Sequence, residues 1–331
     1  SLHADMVVLA IGVTPDTALA KEAGLELGIN ESIVVNDRME TSVPDIYAAG
    51  DAVQVKHYVT GDDALISLAG PANKQGRIIA DNICGGDSHY LGSQGSSVIK
   101  VFDMTAATTG INETNAKKSG LEVDTVILSP MSHAGYYPGG KVMTMKVVFE
   151  KETYRLLGAQ IIGYEGVDKR IDVLATAIHA GLKATQLKDL DLAYAPPYSS
   201  AKDPVNMAGF MIDNIAKGTL KQWHLEDMDK ISKDKNVVLL DVRTVGEFNR
   251  GHMKGFNNIP VDELRERISE IEKGKPVYLI CQSGLRSYIA SRILEGNGYE
   301  TYNFSGGFRF YDTVVNDRAL IEMAYACGMD Y

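Results

Sequence analysis

Apolar runs and helical patterns alternate through the last third of the chain. Residues 237–240 and 276–280 are apolar runs with the length of buried strands, and residues 261–273 and 285–295 repeat apolar positions at helical spacing. Strands and helices that alternate in this way build a parallel sheet with helices on both faces. The pattern therefore predicts an α/β domain with a parallel sheet in this part of the chain.

The middle of the chain has a different pattern, which is typical of an α+β domain. Residues 141–150 alternate apolar and polar positions, and the alternation returns at 156–162 after a short turn, which predicts a β-hairpin. Apolar residues spaced along one helix face predict a helix over 167–181. The stretch 193–198 contains two prolines, so it is not a central strand.

The opening segment contains fewer regular elements. The apolar run 6–11 predicts a buried strand, and 46–49 predicts a shorter one. A helix is expected from Gly70 to Ile83, with Pro71 at its start and glycines after its end. Because a domain seldom begins on an interior strand, we expect the N-terminal part of a longer polypeptide to precede this segment. We predict a multidomain α/β and α+β protein with domains at residues 1–97, 98–219 and 222–331.

Composition and charge exclude several classes of protein. The chain has 331 residues, of which 45% are hydrophobic, and its 33 lysines and arginines against 43 aspartates and glutamates leave a net charge of -10. This balance argues against nucleic acid or an anionic membrane as the main partner. The sequence has no run of about 18 apolar residues and no signal-peptide pattern, so we expect a cytoplasmic protein. An anionic ligand then needs a local basic pocket.

The three cysteines, Cys84, Cys281 and Cys327, lie far apart and form no C-x-x-C pair. Neither a disulfide framework nor a zinc site is therefore indicated. Cys84 follows a predicted helix and Cys327 lies near the end of the chain, so we interpret both as packing residues. Cys281 differs from them because it directly follows a predicted strand.

The sequence around Cys281 predicts a reactive thiol. A buried strand carries this residue to the carboxyl edge of a parallel sheet, where ligands bind, and Gly284 allows a tight curl before the next helix. Backbone N–H groups of such a curl, together with the helix N-terminus, attract an anion on the sulfur and lower the pKa of the thiol. The alternative is a buried structural thiol, because free cysteine is among the most buried residue types.

Several motifs of this segment resemble the rhodanese family. They are Leu240-Asp-Val-Arg243, Glu247-Phe248, Gly251-His252, Cys281-Gln-Ser-Gly-Leu-Arg286 and Gly306-Gly307. The resemblance implies that Cys281 accepts a sulfane sulfur as a persulfide, and that Arg286 closes the loop and helps to hold the anionic group.

The same resemblance assigns roles to the residues around Cys281. It implies that the loop binds substrate through Gln282, Ser283, Gly284 and Leu285. Asp241 and Arg243 would brace the site from a neighbouring strand, and the alternative for them is an internal salt bridge without further function. Four residues separate Cys281 from Arg286, as in sulfurtransferases, whereas related phosphatases have a wider loop.

A second motif lies in the opening segment, from Thr41 to Val53. A predicted strand ends in Gly50-Asp51, where the glycine permits close approach to the backbone and the carboxylate accepts hydrogen bonds from ligand hydroxyls. The motif resembles the pyridine nucleotide-disulfide reductase superfamily, in which this aspartate contacts the ribityl chain of FAD. The resemblance implies that the helix opening at Gly70-Pro71 directs its N-terminus at the flavin. A simple turn at Gly50-Asp51 is the alternative.

The sequence departs from that superfamily in two ways. No G-x-G-x-x-G pattern occurs, and the amino-terminal redox cysteine is missing. We therefore expect that these residues alone do not complete a reductase site.

Two stretches of the middle segment, 133–140 and 193–204, resemble the coenzyme A-disulfide reductase branch of the superfamily. In this branch paired tyrosines act across a homodimer, which implies that Tyr136 and Tyr194 donate to a coenzyme A thiolate. A phenol can donate a proton without carrying charge at neutral pH. Lys202 would be available to a coenzyme A phosphate. Tyrosines beside prolines can also serve packing alone.

The resemblances together imply an FAD-dependent, NAD(P)H-using reductase of coenzyme A disulfide or persulfide, fused to a rhodanese sulfurtransferase and assembled as a homodimer. Two alternatives stay open. One is an NADH oxidase or peroxidase with a rhodanese passenger, and the other is a module whose loop binds a sulfur-modified partner without turnover. The choice of NADH or NADPH, the sulfur donor and the direction of transfer are open as well.

Overall fold

The computed structural model describes the backbone of residues 3–326 and the side chains of residues 3–317. The chain divides at residue 97 into two compact units. Over residues 3–326, no helix combines the length and the apolar character that a bilayer crossing needs.

The first unit contains a small sheet and two helices. Its strands are β1 (Ile33–Val34), β2 (Val53–Lys56) and β3 (Asp63–Ala64), and its helices are α1 (Ala18–Glu22) and α2 (Ala69–Ile83). β1 and β2 are parallel, whereas β2 and β3 are antiparallel. Met39, Val53 and Val55 are buried at the centre of this unit. The helix predicted from Gly70 to Ile83 is confirmed.

Two strands predicted in this unit do not form. Residues 6–11 carry no strand, and Met6 and Ile11 are 78% and 91% exposed. An apolar run becomes a strand only where neighbouring backbone takes its hydrogen bonds, and none of residues 3–326 pairs with this run. Residues 46–49 form a single bridge, between Tyr47 and Glu40.

The second unit begins with a five-stranded sheet, called here the β4–β8 sheet. Its strands are β4 (Ser97–Val101), β5 (Met104–Gly110), β6 (Val123–Leu128), β7 (Thr144–Glu150) and β8 (Leu156–Gly163). They lie in the order β4-β5-β8-β7-β6, which leaves β6 at one edge. β7 and β8 are antiparallel neighbours, so the predicted hairpin is confirmed.

Helices accompany this sheet. They are α3 (Glu113–Lys118), α4 (Val167–His179) and α5 (Pro204–Ala216). Val167, Ile171 and Leu174 recur on one face of α4 and are buried where this helix packs on β5 and β8. Gly181 follows the helix at φ +69°, in the left-handed region that closes helices. The predicted helix is therefore confirmed.

The last part of the chain forms a second five-stranded sheet, called here the parallel sheet. Its strands are β9 (Gln222–Trp223), β10 (Val238–Asp241), β11 (Asn257–Asn258), β12 (Val277–Ile280) and β13 (Thr301–Phe304). Its helices are α6 (Met228–Ile231), α7 (Val245–Arg250), α8 (Leu285–Glu295) and α9 (Gly307–Ala326). All neighbouring strands are parallel in the order β11-β10-β12-β13-β9, as the sequence predicts.

Both faces of the parallel sheet carry a hydrophobic core. Val277 and Leu279 of β12 pack on one side, whereas Ile280 packs with Trp223 and Phe304 on the other. A strand that is buried on both faces reads as a continuous apolar run. This explains why β12 is recognisable in the sequence.

The long helix predicted over residues 261–273 does not form. This segment contains successive turns and one short 3₁₀ helix, Ile268–Glu270. Leu264 and Ile271 are still buried, because apolar residues three or four positions apart reach the same core from tight turns as well as from an α-helix. The spacing is therefore correct for burial, and the helix prediction is wrong.

The two sheets of the second unit meet at edge strand β6. The Ser305 hydroxyl accepts a hydrogen bond from the Ile127 N–H at 3.0 Å, and the Gln222 amide donates to the Thr125 carbonyl at 3.2 Å. These outward-facing backbone groups of β6 thus find partners in the parallel-sheet domain instead of another strand.

Candidate functional site

Strand β12 and helix α8 place Cys281 at the carboxyl edge of the parallel sheet. The cysteine directly follows the last strand residue, Ile280, and α8 begins four residues later at Leu285. Gly284 has φ +101°, in the left-handed region that favours glycine. The chain therefore turns tightly between Cys281 and α8, as the sequence predicts.

The sulfur of Cys281 accepts two hydrogen bonds in a buried position. The Gly284 N–H donates to Sγ at 3.1 Å, and the Ser287 hydroxyl donates at 3.2 Å. Cys281 is 1% exposed. The two donors therefore hold the Cys281 sulfur in a fixed position within the loop.

The segment after β13 supports the cysteine loop. The Phe308 N–H donates to the Cys281 carbonyl at 2.8 Å. Gly307 lies so close to Gln282 and Ser283 that a Cβ atom there would come within 2.7 Å of both. Glycine at this position is therefore required by the close approach of two backbone segments.

Asp241 and Arg243 form a buried ion pair beside the loop. Arg243 Nη2 lies 2.7 Å from Asp241 Oδ2 and also donates to the Gly251 carbonyl at 2.8 Å. Arg243 Nη1 reaches Gln282 Oε1 at 3.4 Å, and the guanidinium lies 3.8 Å from the centre of the Phe308 ring. The pair is thus both an internal salt bridge and a brace for the loop.

Arg286 and Glu247 form a second ion pair at the site. Both terminal nitrogens of Arg286 donate to the Glu247 carboxylate, at 2.7 and 2.6 Å. The Arg286 guanidinium lowers the pKa of Glu247 to about 2. Arg286 therefore shares its charge with a carboxylate, and its role in holding an anion stays a prediction.

Tyr136 and Tyr194 lie together at the surface beside the β4–β8 sheet. Their hydroxyl oxygens are 2.6 Å apart, and the side chains are 76% and 44% exposed. The hydrogen bond with Tyr136 raises the pKa of Tyr194. Tyr194 therefore stays protonated at neutral pH, and the exposed pair offers an O–H group to an approaching ligand.

A buried arginine fixes the two segments that carry these tyrosines. Arg170 of α4 donates from Nη2 to the Ser132 carbonyl at 3.0 Å and to the Tyr198 carbonyl at 3.3 Å. Its charge is balanced by Asp203, with Nη2 and Oδ2 2.9 Å apart. Sequence reasoning missed Arg170, although a charged residue within the apolar pattern of α4 marks a buried polar contact.

In the first unit, Gly50 and Asp51 lie in a 3₁₀ turn that packs against α2. The Gly50 N–H donates to Gln75 Oε1 at 2.7 Å, and Asp51 is exposed. Gly70 and Pro71 lie in the first turn of α2, and no side chain caps that turn. An exposed carboxylate and an uncapped helix N-terminus fit the hydroxyls and the ring of a flavin.

Three family models match the chain. The pyridine nucleotide-disulphide oxidoreductase model matches residues 1–76, and the dimerisation domain model of the same family matches residues 96–204. Together these two matches cover more than half of the chain. The chain therefore contains domains of the pyridine nucleotide-disulphide oxidoreductase family. The rhodanese-like domain model matches residues 224–312, so both resemblances and the multidomain fold class predicted from the sequence are confirmed.

Similar proteins and solved structures match either most of this chain or about three fifths of it. The CoA-dependent NAD(P)H sulfur oxidoreductase of Pyrococcus abyssi is 40% identical over 61% of this chain and 45% of its own length. The crystal structure of reduced Bacillus anthracis CoADR-RHD is 48% identical, with a TM-score of 0.92 over 95% of this chain and 56% of that one. An NAD-dependent persulfide reductase from A. fulgidus is 42% identical, with a TM-score of 0.86 over 93% and 56%. The chain thus spans about half the length of these relatives.

A cavity of about 420 Å³ adjoins the cysteine loop of the rhodanese-like domain. Its lining is mostly polar and consists of Arg243, Glu247, Arg250, Gly251, Gln282, Phe308, Arg309 and Asp312. Two predicted substrate residues, Gln282 and Arg243, therefore line one cavity. Ser283 and Leu285 follow Gln282 in the chain, are exposed, and are not part of this lining.

A cavity of about 530 Å³ adjoins Tyr194 in the dimerisation domain. Ser132, Lys169 and Arg170 are among its lining residues. Lys202 is exposed and is not part of this lining. Its predicted contact with a coenzyme A phosphate therefore stays a prediction.

The sequence predicts that the two other cysteines, Cys84 and Cys327, serve packing. Cys84 is exposed, so its assignment to packing is wrong; it follows the last turn of α2. Cys327 lies outside the described residues.

Two residues that support the cysteine loop were not predicted. Ser287 donates to the Cys281 sulfur, and the Asn303 amide donates to the Gly284 carbonyl at 3.1 Å. Neither residue belongs to a sequence motif of its own.

Proposed function

We propose that this chain is part of an FAD-dependent NAD(P)H coenzyme A-disulfide or persulfide reductase that also acts as a rhodanese sulfurtransferase. Cys281 carries the sulfane sulfur as a persulfide. The observation that carries the proposal is the Cys281 sulfur, which accepts hydrogen bonds from Gly284 and Ser287 in a curled loop. The names of the similar proteins, which include coenzyme A-disulfide and persulfide reductases, support the choice of substrate.

Sulfur transfer to Cys281 needs no oxidant. The thiolate attacks the outer sulfur of a persulfide, so that an S–S bond forms to Sγ while the S–S bond of the donor breaks. The donor leaves as a thiolate, and the persulfide proton stays on the transferred sulfur. The Gly284 N–H and the Ser287 hydroxyl hold the attacking thiolate in place before the step.

The reductase half of the proposal uses residues of the first two domains, which we place at 1–97 and 98–219, before the rhodanese domain at 222–331. Bound FAD, reduced by NAD(P)H, supplies the electron pair that cleaves a disulfide or persulfide. Asp51 and Gly50 would contact its ribityl chain, and the α2 N-terminus at Gly70 and Pro71 would face the ring. Tyr136 and Tyr194 hold a proton at the phenol oxygen for the coenzyme A thiolate.

We further propose that the protein works as a homodimer in the cytoplasm. The match to a dimerisation domain supports the first part. The exposed Tyr136–Tyr194 pair supports it as well, since phenols that act on a partner's ligand need to be accessible.

Intact-mass analysis after exposure to coenzyme A persulfide tests this function. The wild type is expected to gain about 32 Da, one sulfur atom, on Cys281, and to lose it on reduction. Cys281→Ser is the control and is expected to gain nothing. A wild-type protein that stays folded, as judged by circular dichroism, and takes up no sulfur contradicts the proposal.

A further inference from the structure

The arginines nearest to Cys281 are already paired with carboxylates. Arg243 pairs with Asp241, and Arg286 pairs with Glu247. A guanidinium with a carboxylate in contact attracts a further anion weakly, because the two charges largely cancel beyond a short distance. An anionic ligand of the cysteine loop therefore needs positive charge from other residues.

Two further arginines line the cavity beside the loop. Arg250 is the last residue of α7, and Arg309 lies in the first turn of α9. Among the residues whose side chains the structure describes, neither guanidinium has a carboxylate within ion-pair distance. Asp312 also lines this cavity, and its single negative charge balances only one of the two guanidinium charges. The cavity therefore favours an anion.

The backbone ties one of these arginines to the cysteine loop. The Arg309 N–H donates to the Gln282 carbonyl at 3.2 Å, and Gln282 directly follows Cys281 and lines the cavity. A ligand in this cavity thus lies against the loop that carries the nucleophile. Its volume of about 420 Å³ is within the range of about 300 to 1,000 Å³ that is typical of organic ligand sites.

We propose that Arg250 and Arg309 bind the phosphate groups of a phosphorylated thiol carrier that presents its persulfide to Cys281. The proposal rests on the proposed function, because it names the donor class for the same cysteine. The guanidinium fork matches phosphate oxygens in geometry and charge. In the transfer, the carrier's S–S bond breaks as the bond from Cys281 Sγ to the outer sulfur forms, and the carrier leaves as its thiolate with its phosphates still bound.

Three sulfur donors test phosphate binding separately from sulfur transfer to Cys281. Coenzyme A persulfide carries phosphates, pantetheine persulfide has the same thiol arm without them, and thiosulfate is an anion without a carrier. The rate of persulfide formation on Cys281 is measured by quenched mass spectrometry. Arg250→Gln/Arg309→Gln is expected to slow coenzyme A persulfide by about tenfold or more, to slow the smaller anion thiosulfate to a lesser extent, and to leave pantetheine persulfide within about twofold of wild type.

Arg265→Gln is the matched control, because Arg265 is an exposed arginine of the same domain that lines a different cavity. It is expected to leave all three rates unchanged. An equal loss with all three donors for the double variant would mean that the arginines act on the loop itself. That outcome, or an unchanged rate with coenzyme A persulfide, overturns the assignment.

Calorimetric titration with coenzyme A tests the site without any sulfur transfer. The double variant is expected to weaken one binding phase by about tenfold or more relative to the wild type. Superimposable isotherms overturn the site. A weakened phase in a protein whose Cys281 takes up no sulfur supports the phosphate site while it contradicts the proposed function, so the two failures are distinguishable.

Discussion

A buried arginine–aspartate pair lies behind each of the two candidate sites in residues 98–331. Arg243 and Asp241 support the cysteine loop, and Arg170 and Asp203 support the tyrosine segments, with side chains no more than 4% exposed. Each arginine also donates to backbone carbonyls of the segments that it holds. The reactive groups differ, because the Cys281 sulfur is buried and the Tyr136 and Tyr194 hydroxyls are at the surface.

This difference separates a buried group that has its own hydrogen-bond donors from an exposed pair of side chains. Cys281 has its hydrogen-bond donors and its adjoining cavity within one domain. Tyr136 and Tyr194 have mainly each other. Rigid backbone support is therefore common to both sites, whereas the degree of burial distinguishes the Cys281 sulfur from the two tyrosine hydroxyls.

The largest effect is expected from breaking either buried pair. Asp203→Asn leaves the Arg170 guanidinium buried without its carboxylate, and Asp241→Asn does the same to Arg243. Each change is expected to lower the free energy of unfolding by about 3 to 5 kcal/mol in urea denaturation. The exposed Asp262→Asn is the control, with less than about 0.5 kcal/mol. A large loss of stability for only one of the two variants would show that the two buried pairs do not have equivalent roles.

A smaller effect on the free energy of unfolding, which depends on pH, is expected from replacing Glu247. Its pKa falls from 4.5 to about 2 in the folded protein because of Arg286. A lowered pKa contributes stability that is fully present above pH 4.5 and is lost as the pH falls towards 2. Between pH 4.5 and pH 2, the free energy of unfolding of the wild type is expected to fall by about 1 to 3 kcal/mol relative to that of Glu247→Gln.

Acid titration of unfolding monitored by circular dichroism measures this difference. Glu266→Gln changes an exposed glutamate of the same domain and serves as the comparison. A difference between wild type and Glu247→Gln that stays constant down to pH 2 would show that Arg286 does not hold Glu247 ionised.

The Ser287 hydroxyl is one of two donors to the buried Cys281 sulfur. Ser287→Ala removes this donor, so the rate of persulfide formation on Cys281 is expected to fall by about tenfold, because the attacking sulfur is held less firmly. Quenched mass spectrometry with coenzyme A persulfide measures that rate. Ser291→Ala, which removes a buried hydroxyl one turn further along α8, is expected to leave the rate unchanged.

The smallest effect is expected at the tyrosine pair. Tyr136→Phe removes the hydrogen bond that raises the pKa of Tyr194, so this pKa is expected to fall towards its ordinary value of 10. The free energy of unfolding should change by less than about 0.5 kcal/mol, because the pair is exposed. Ultraviolet titration of tyrosinate measures the first quantity, with Tyr164→Phe as the control. An unfolding loss as large as at the buried pairs would mean that the tyrosines serve packing.

The sequence predicts the cysteine site well because its signals are local. An apolar strand, a glycine and a helix follow one another between residues 277 and 295, and the structure has them in that order. The ion pair of Arg286 with Glu247 escaped prediction, since the two residues are 39 positions apart and only the folded chain brings them together.

The wrong predictions have the same physical origin. Apolar spacing reports which residues are buried, and it leaves the backbone conformation to tertiary contacts. Leu264 and Ile271 are buried as expected but lie in tight turns, and the apolar run 6–11 has no strand beside it among the described residues. Arg170 lies within the apolar pattern of α4 but escaped prediction, because its partners Ser132 and Asp203 are 38 and 33 positions away in the sequence.

The junction at strand β6 has a consequence for protein engineering. A rhodanese-like domain expressed alone would keep its own parallel sheet, because all of its strands lie after residue 221. The dimerisation domain would instead lose the partners of Ile127 and Thr125 and expose an unprotected sheet edge. Such edges recruit other strands and cause aggregation. The rhodanese-like domain therefore also covers part of this edge, and residues 98–219 expressed alone are expected to need a charged or proline substitution on β6 to replace it.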